Sequence, residues 1–156
     1  MSKLDADQIE EYFNVHLPYR TRILLAHYRM TRANGWRGDP AWLDACFVAS
    51  LVTGRLFLNA LGVGKRGGGL DRFEPQPDDV TVEDLGGKLL DPSALPTADR
   101  DLLLGFLRMA DKAAAHFTVP MSHDWARTHD VIRRVHHYLK VNLYDQAGRR
   151  GLEPLI

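Results

Sequence analysis

Arg108, Lys112 and His116 stand four residues apart in the run Arg108-Met-Ala-Asp-Lys-Ala-Ala-Ala-His116. On a helix turning about 100° per residue the three fall within about 80° of one another. One edge would then carry a guanidinium, an ammonium and an imidazole. Such a trio suits phosphoester chemistry without a metal: an imidazole takes the proton of an attacking hydroxyl, and fixed cations stabilise the charge that builds on the phosphorane oxygens. The same row also fits a solvated helix flank, with His116 near a helix C-terminus, where the dipole favours a positive ring.

Other groupings are less specific. Gly62-Val-Gly-Lys-Arg-Gly-Gly-Gly69 has the look of a phosphate loop, but it follows a helix and lacks both the Gly-Lys-Ser/Thr ending and a helix directly after it. A helix stop followed by a flexible basic linker is the simpler expectation. Five of the seven histidines lie between His116 and His137. In the last helix His129 and His136 share a side with Arg133 and Lys140, and interleaved cations oppose a metal ion, so no metal or cofactor is expected. Arg22 and His27 straddle a helix about 140° apart and would not meet on one substrate atom. Cys46, the single cysteine, has no internal disulfide partner and fits a reducing, cytoplasmic setting.

The elements that must position these groups are helices. Asp5 caps a short helix from Leu4 to Asn14. A second is expected from Pro18 to Ala33, with Tyr19, Ile23, Ala26 and Met30 as its buried stripe and Asn34-Gly35 as its stop. Asp39-Pro40 opens a third, running to Leu61, apolar almost all the way round, and therefore central to a bundle or set in a dimer interface. Charged and small residues interrupt its apolar run, which argues against a membrane span. Between residues 63 and 97 the helical period gives way to glycines and prolines, with one strand-like piece from Asp79 to Glu83. A fourth helix is expected from Thr97 to Phe117, ended by Val119-Pro120-Met121. A fifth follows from His123 to Gln146, capped by Ser122. The fold class is all-α: four main helices plus a short N-terminal one, with a long irregular loop between residues 63 and 97, in one domain spanning residues 1–156.

Composition bounds the rest. The chain has 156 residues, is 45% hydrophobic and carries no formal net charge, enough for one buried core. Residues 18–37 hold five arginines and no acid, whereas residues 70–101 hold nine acids against three bases. The basic segment either offers a flank to RNA or another polyanion, or faces acidic residues of the same molecule or a second copy. A neutral balance favours the latter, since nucleic-acid binders are usually net basic.

Asp111-Lys112-Ala-Ala-Ala115-His116 resembles the signature of HEPN-type helical bundle proteins, with Ala110 standing where the signature has its arginine. The resemblance implies a helical bundle that works as a homodimer. In active members it implies a metal-independent ribonuclease or toxin, here with His116, Arg108 and Lys112 as the catalytic set. In inactive members it implies an interaction module without catalysis. The departure at Ala110 leads us to expect the non-catalytic dimeric module, with the ribonuclease as the alternative.

Overall fold

The first helix is one rod with a wide turn in it. In the computed structural model, which describes residues 3–32, 36–115 and 124–156, α1 (Ala6–Glu11) passes through a π-helical turn (Tyr12–His16) directly into α2 (Leu17–Arg32). Asp5 starts it with a reciprocal cap: its carboxylate accepts from the Gln8 N–H at 2.8 Å, and the Gln8 side chain accepts from the Asp5 N–H at 3.0 Å. Two separate helices were expected because proline is favoured in a first turn; inside a continuous helix Pro18 lacks an N–H and its ring presses on the carbonyl four residues back. The π-turn removes the conflict. There the Leu17 N–H reaches back five residues to the Tyr12 carbonyl, so the ladder is already widened where Pro18 enters it.

The π-turn also sits beside a shift of face. The buried residues of α2 are Leu17, Thr21, Leu24, Leu25, His27 and Tyr28, while Tyr19, expected inside, is 61% exposed. Both stripes have the helical period. The one containing Thr21 and His27 is buried, with Leu24, Leu25 and Tyr28 on it joining the core, and two polar groups travel inward with them.

The long helix α3 (Pro40–Ala60) begins as its sequence suggests, with the Asp39 side chain accepting from the Ala41 N–H and Pro40 in the first turn. It packs against α2, α4 (Thr97–Ala115) and α5 (Trp125–Leu139), so it is the central element. Phe47, Leu51, Phe57 and Leu58 on its inner face meet Leu24, Leu103, Phe106 and Ile132 in one core. Gly54 is where α4 comes closest: a Cβ there would lie 2.5 Å from the Phe106 ring. A second π-turn, Lys140–Tyr144, ends α5, and Asp124 caps its start by accepting from the Arg127 N–H. Ser122, His123, the Val119-Pro120-Met121 break and the Asn34-Gly35 stop lie outside the described residues.

The molecule is mostly helical, and the segment from 63 to 97 is the irregular stretch expected only from residue 73 on. It opens with an antiparallel hairpin, β1 (Val63–Arg66) and β2 (Gly69–Arg72), in register Val63 to Arg72 and Arg66 to Gly69. The expected flexible linker is thus a tight two-residue turn. Gly67 and Gly68 have φ of +57° and +83°, the pair of positive values such a turn requires. Nor is there a strand from Asp79 to Glu83. Instead Asp84 folds back on this piece, accepting from the Thr81 N–H and hydroxyl at 2.9 and 3.0 Å, and a 3₁₀ turn follows at Glu83–Leu85. Burial raises the affinity of the Asp84 carboxyl for its proton, but the donors of Thr81 and Lys3 outweigh it and hold the group below its ordinary value.

This segment is sewn to the helices by backbone hydrogen bonds. Phe73, Val82 and Leu90 donate to the carbonyls of Gly62, Ala60 and Leu61 at 2.8 to 2.9 Å, and Lys88 donates to Asn142 at 2.7 Å. Gly87 is the tightest point, since a Cβ would stand 2.5 Å from the Asn142 carbonyl oxygen and 2.9 Å from that of Val82. Backbone cannot yield as a side-chain tip can. Gly87→Ala is therefore expected to lower unfolding free energy by about 2 kcal/mol, read as a shifted urea midpoint. An unchanged midpoint would mean that the second π-turn is free to move away.

Candidate functional site

The row expected to do chemistry is divided by the fold. Arg108 and Lys112 are both exposed on α4, and Arg108 is engaged: its Nη2 donates to the Gly68 carbonyl in the hairpin turn at 2.6 Å. His116, the proposed base, lies outside the described residues. Asp111, between them, bridges the hairpin and α3, pairing with Arg55 at 2.8 Å and also with Lys65. Ala110, where the HEPN signature would place arginine, is fully buried, so an arginine there would have to put its charge into the core. The described part of this edge holds the hairpin against the bundle.

The basic flanks are likewise largely satisfied from within. Arg22 and Arg29 on α2 flank the Glu153 carboxylate at 3.4 and 3.6 Å, and Arg32 lies over the Tyr28 ring at 4.6 Å. On α5, Arg133 pairs with Asp130 and Lys140 with Asp145, while a ring nitrogen of His136 is 2.7 Å from the Glu153 carbonyl. The acidic segment contributes Asp99, which takes Arg134 at 3.1 Å and the Tyr138 hydroxyl at 2.9 Å. Part of the charge polarity along the chain is thus spent on internal pairs, and the acid that takes Arg22 and Arg29 is Glu153, not one of residues 70–101. No group of three or more His, Cys, Asp or Glu side chains positioned to hold a metal occurs among the described residues.

One pairing was missed altogether. His27, fully buried on α2, has its Nδ1 3.0 Å from the Nε2 of His129 on α5. Phe47 and Trp125 edge onto the His27 ring and Tyr28 onto that of His129. Judging His27 against Arg22 on its own helix concealed its partner 102 residues away. The contact is a hydrogen bond, so one of the two facing nitrogens carries no proton. Burial pushes His129 below the ordinary histidine range; Arg32 and Arg133 push it further and Asp130 opposes them.

A different surface has the character of a binding face. On the side of α3 away from the core, Trp42, Val48, Val52 and Leu56 are 68%, 37%, 45% and 38% exposed, with Ala41 and Ala45 exposed among them. The stripe climbs the helix at intervals of three to six residues and stays within one side. Along one border stand Asp44 and Arg55, both exposed. They are eleven positions apart, about three turns, and so lie within about 20° of the same edge. α3 is also long and apolar enough, by length and composition, to cross a membrane, though 39% of that window is buried inside the protein. Comparison with known proteins finds no matching family model, no similar curated protein and no similar solved structure.

The histidine pair generates a prediction of defined sign. Because the native pKa of His129 lies below the value of about 6.5 for an unfolded chain, the unfolded state binds the proton more readily. Stability is full above that value and falls as the pH drops through the interval down to the native pKa. The urea midpoint is expected to decrease as the pH is lowered through about 6.5, and His129→Gln to make the decrease shallower. A variant as steep as wild type would assign the acid sensitivity to other groups.

Proposed function

We propose that the protein is a non-catalytic helical interaction module, HEPN-like in layout, that works as a homodimer in the cytoplasm, the outward face of α3 lying antiparallel on the same face of a second copy. The observation that carries this is the exposed apolar stripe of Trp42, Val48, Val52 and Leu56 with Asp44 and Arg55 on its border. A two-fold axis between antiparallel helices brings like edges together. Positions 44 and 55 are then reflected onto each other about the helix midpoint, so each Asp44 meets an Arg55 of the other copy. Parallel pairing would put the Asp44–Arg55 edges of the two copies on opposite borders, and neither charge pair would form. The apolar centre supplies affinity and the two charge pairs supply register.

The ribonuclease alternative, with His116 as base and Arg108 and Lys112 as cations, is disfavoured by what Arg108 does. A guanidinium bound to the Gly68 carbonyl would have to release the hairpin before it could meet a phosphorane. Purified protein should leave RNA intact from about pH 5 to about pH 8, across the titration range of an unperturbed histidine. Cleavage abolished by His116→Ala in a still folded protein would reverse the assignment.

Sedimentation equilibrium tests the dimer directly. Wild type should sediment as a dimer at micromolar concentrations, Val48→Asp as a folded monomer, and Asp44→Lys with dimer affinity reduced about fivefold or more, as loss of opposed rim charges predicts. A monomeric wild type, or a Val48→Asp variant that still dimerises, rules out this face.

A further inference from the structure

A cleft of about 500 Å³, within the usual size of small-molecule sites, opens beside the first π-turn. Its floor is apolar: Leu17, Phe57, Leu139 and Leu143 are all buried. One wall carries Tyr12, His16 and Arg20, from the π-turn and the turn after it, and the opposite wall carries Arg55, Leu56 and Asn59 of α3. Residues 73–85 close the third side with Val80 and Val82, bringing Asp78 and Asp79. We propose that this cleft binds a small amphipathic monocarboxylate, its apolar body on the Leu17–Leu143 floor and its carboxylate on the guanidinium of Arg20.

The charge inventory selects that chemistry. Of the titratable groups facing the cleft, Arg55 is held by Asp111 at 2.8 Å, and His16 has Glu11 at 3.5 Å and the Tyr12 ring at 4.9 Å. The Asp79 carboxylate is turned into its own loop, accepting from the Gln76 N–H at 2.7 Å. Arg20 forms no ion pair or hydrogen bond with any described residue, unlike Arg22 and Arg29 on the same helix. A guanidinium that faces an apolar cleft and is not spent on the protein's own carboxylates can take a carboxylate through two parallel hydrogen bonds. Asp78 and Asp79 set the upper limit on ligand charge, since a phosphate dianion would face both carboxylates with one uncommitted cation to offset them. An amine would meet Arg20 as a like charge.

Val52 and Leu56 belong both to the stripe and to the cleft, whereas Trp42 and Val48 do not line it, so the proposal is tested in a Val48→Asp background as well as in wild type and its failure is distinguishable from failure of the dimer. The full chain is titrated with octanoate, octanol, octylamine and octyl phosphate, following heat by calorimetry and backbone amide shifts by NMR. Octanoate should bind saturably and shift the amides of residues 12–20 and 52–59. Octylamine should not bind, and octanol and octyl phosphate should bind at least several-fold more weakly. Arg20→Gln should weaken octanoate about tenfold or more, the loss of one charge-assisted contact. Arg22→Gln, whose side chain lies against Glu153, should leave it unchanged. Absence of saturable binding, octanol equal to octanoate, tighter octyl phosphate, or an Arg20→Gln variant that binds as wild type while keeping the native amide spectrum would each overturn the proposal.

Discussion

The C-terminal end of α3 is the point on which the rest of the structure depends. A helix leaves its last carbonyls without intrahelical donors, and here that end is in the core, where Leu61 and Val63 are fully buried. Each orphaned acceptor would cost about 1 to 3 kcal/mol. Two are satisfied by chain that comes later, Val82 for Ala60 and Leu90 for Leu61, and Phe73 donates to Gly62 just past the helix. That need determines the path of residues 63–96. The chain turns back at once through the hairpin, passes under the helix end twice, and is pressed by Gly87 against the π-turn of α5. A segment rich in glycine and proline is held without long regular elements because its donors go to a helix end.

The same device explains why a cleft lies where it does. Residues 73–85 are tied to the end of α3 and cannot collapse onto α2, while the π-turn at Tyr12–His16 widens the facing helix. The opening between them takes its apolar floor from Leu17 of α2, Phe57 of α3, and Leu139 and Leu143 of α5 and its π-turn. The widening itself follows from Pro18. A proline without a donor, set where the helix must continue toward Leu24 and Leu25, is tolerated through a local change of hydrogen-bond period, and Tyr12 and His16 of that π-turn line the cleft.

Helix positions were legible where caps and apolar spacing agreed, as at Asp5, Asp39-Pro40 and the Thr128–Leu143 face of α5. Five features were not. The run through Pro18 was hidden because a π-turn has no simple residue signature. The hairpin was hidden because Gly67-Gly68 was weighed as a phosphate loop and not as a turn needing two positive φ values. The buried face of α2 was misjudged because Thr21 and His27 are polar, although Leu24, Leu25 and Tyr28 on the same side join the core. The pairing of His27 with His129, and the commitment of Arg108 to Gly68, depend on contacts between distant segments, and no local spacing contains them. Of the chemical row, one edge of a helix was legible; what that edge touches was not.

α3 carries two loads on its outer surface, and they meet at its C-terminal half. Val52 and Leu56 belong to the exposed stripe and also line the cleft. A second copy seated on the stripe would therefore remove water from the outer lip of the cleft. By linkage, any factor by which dimerisation changes the affinity of the cleft for a ligand is the factor by which that ligand changes dimer affinity. The sign follows from the contacts. A ligand that stays on the Leu17–Leu143 floor gains apolar cover from the partner and strengthens the dimer, whereas one that projects past Leu56 competes for the same surface and weakens it. Arg55 sets the balance between these cases, since one guanidinium stands at the lip of the cleft, holds Asp111 and faces the edge that Asp44 of a second copy would occupy.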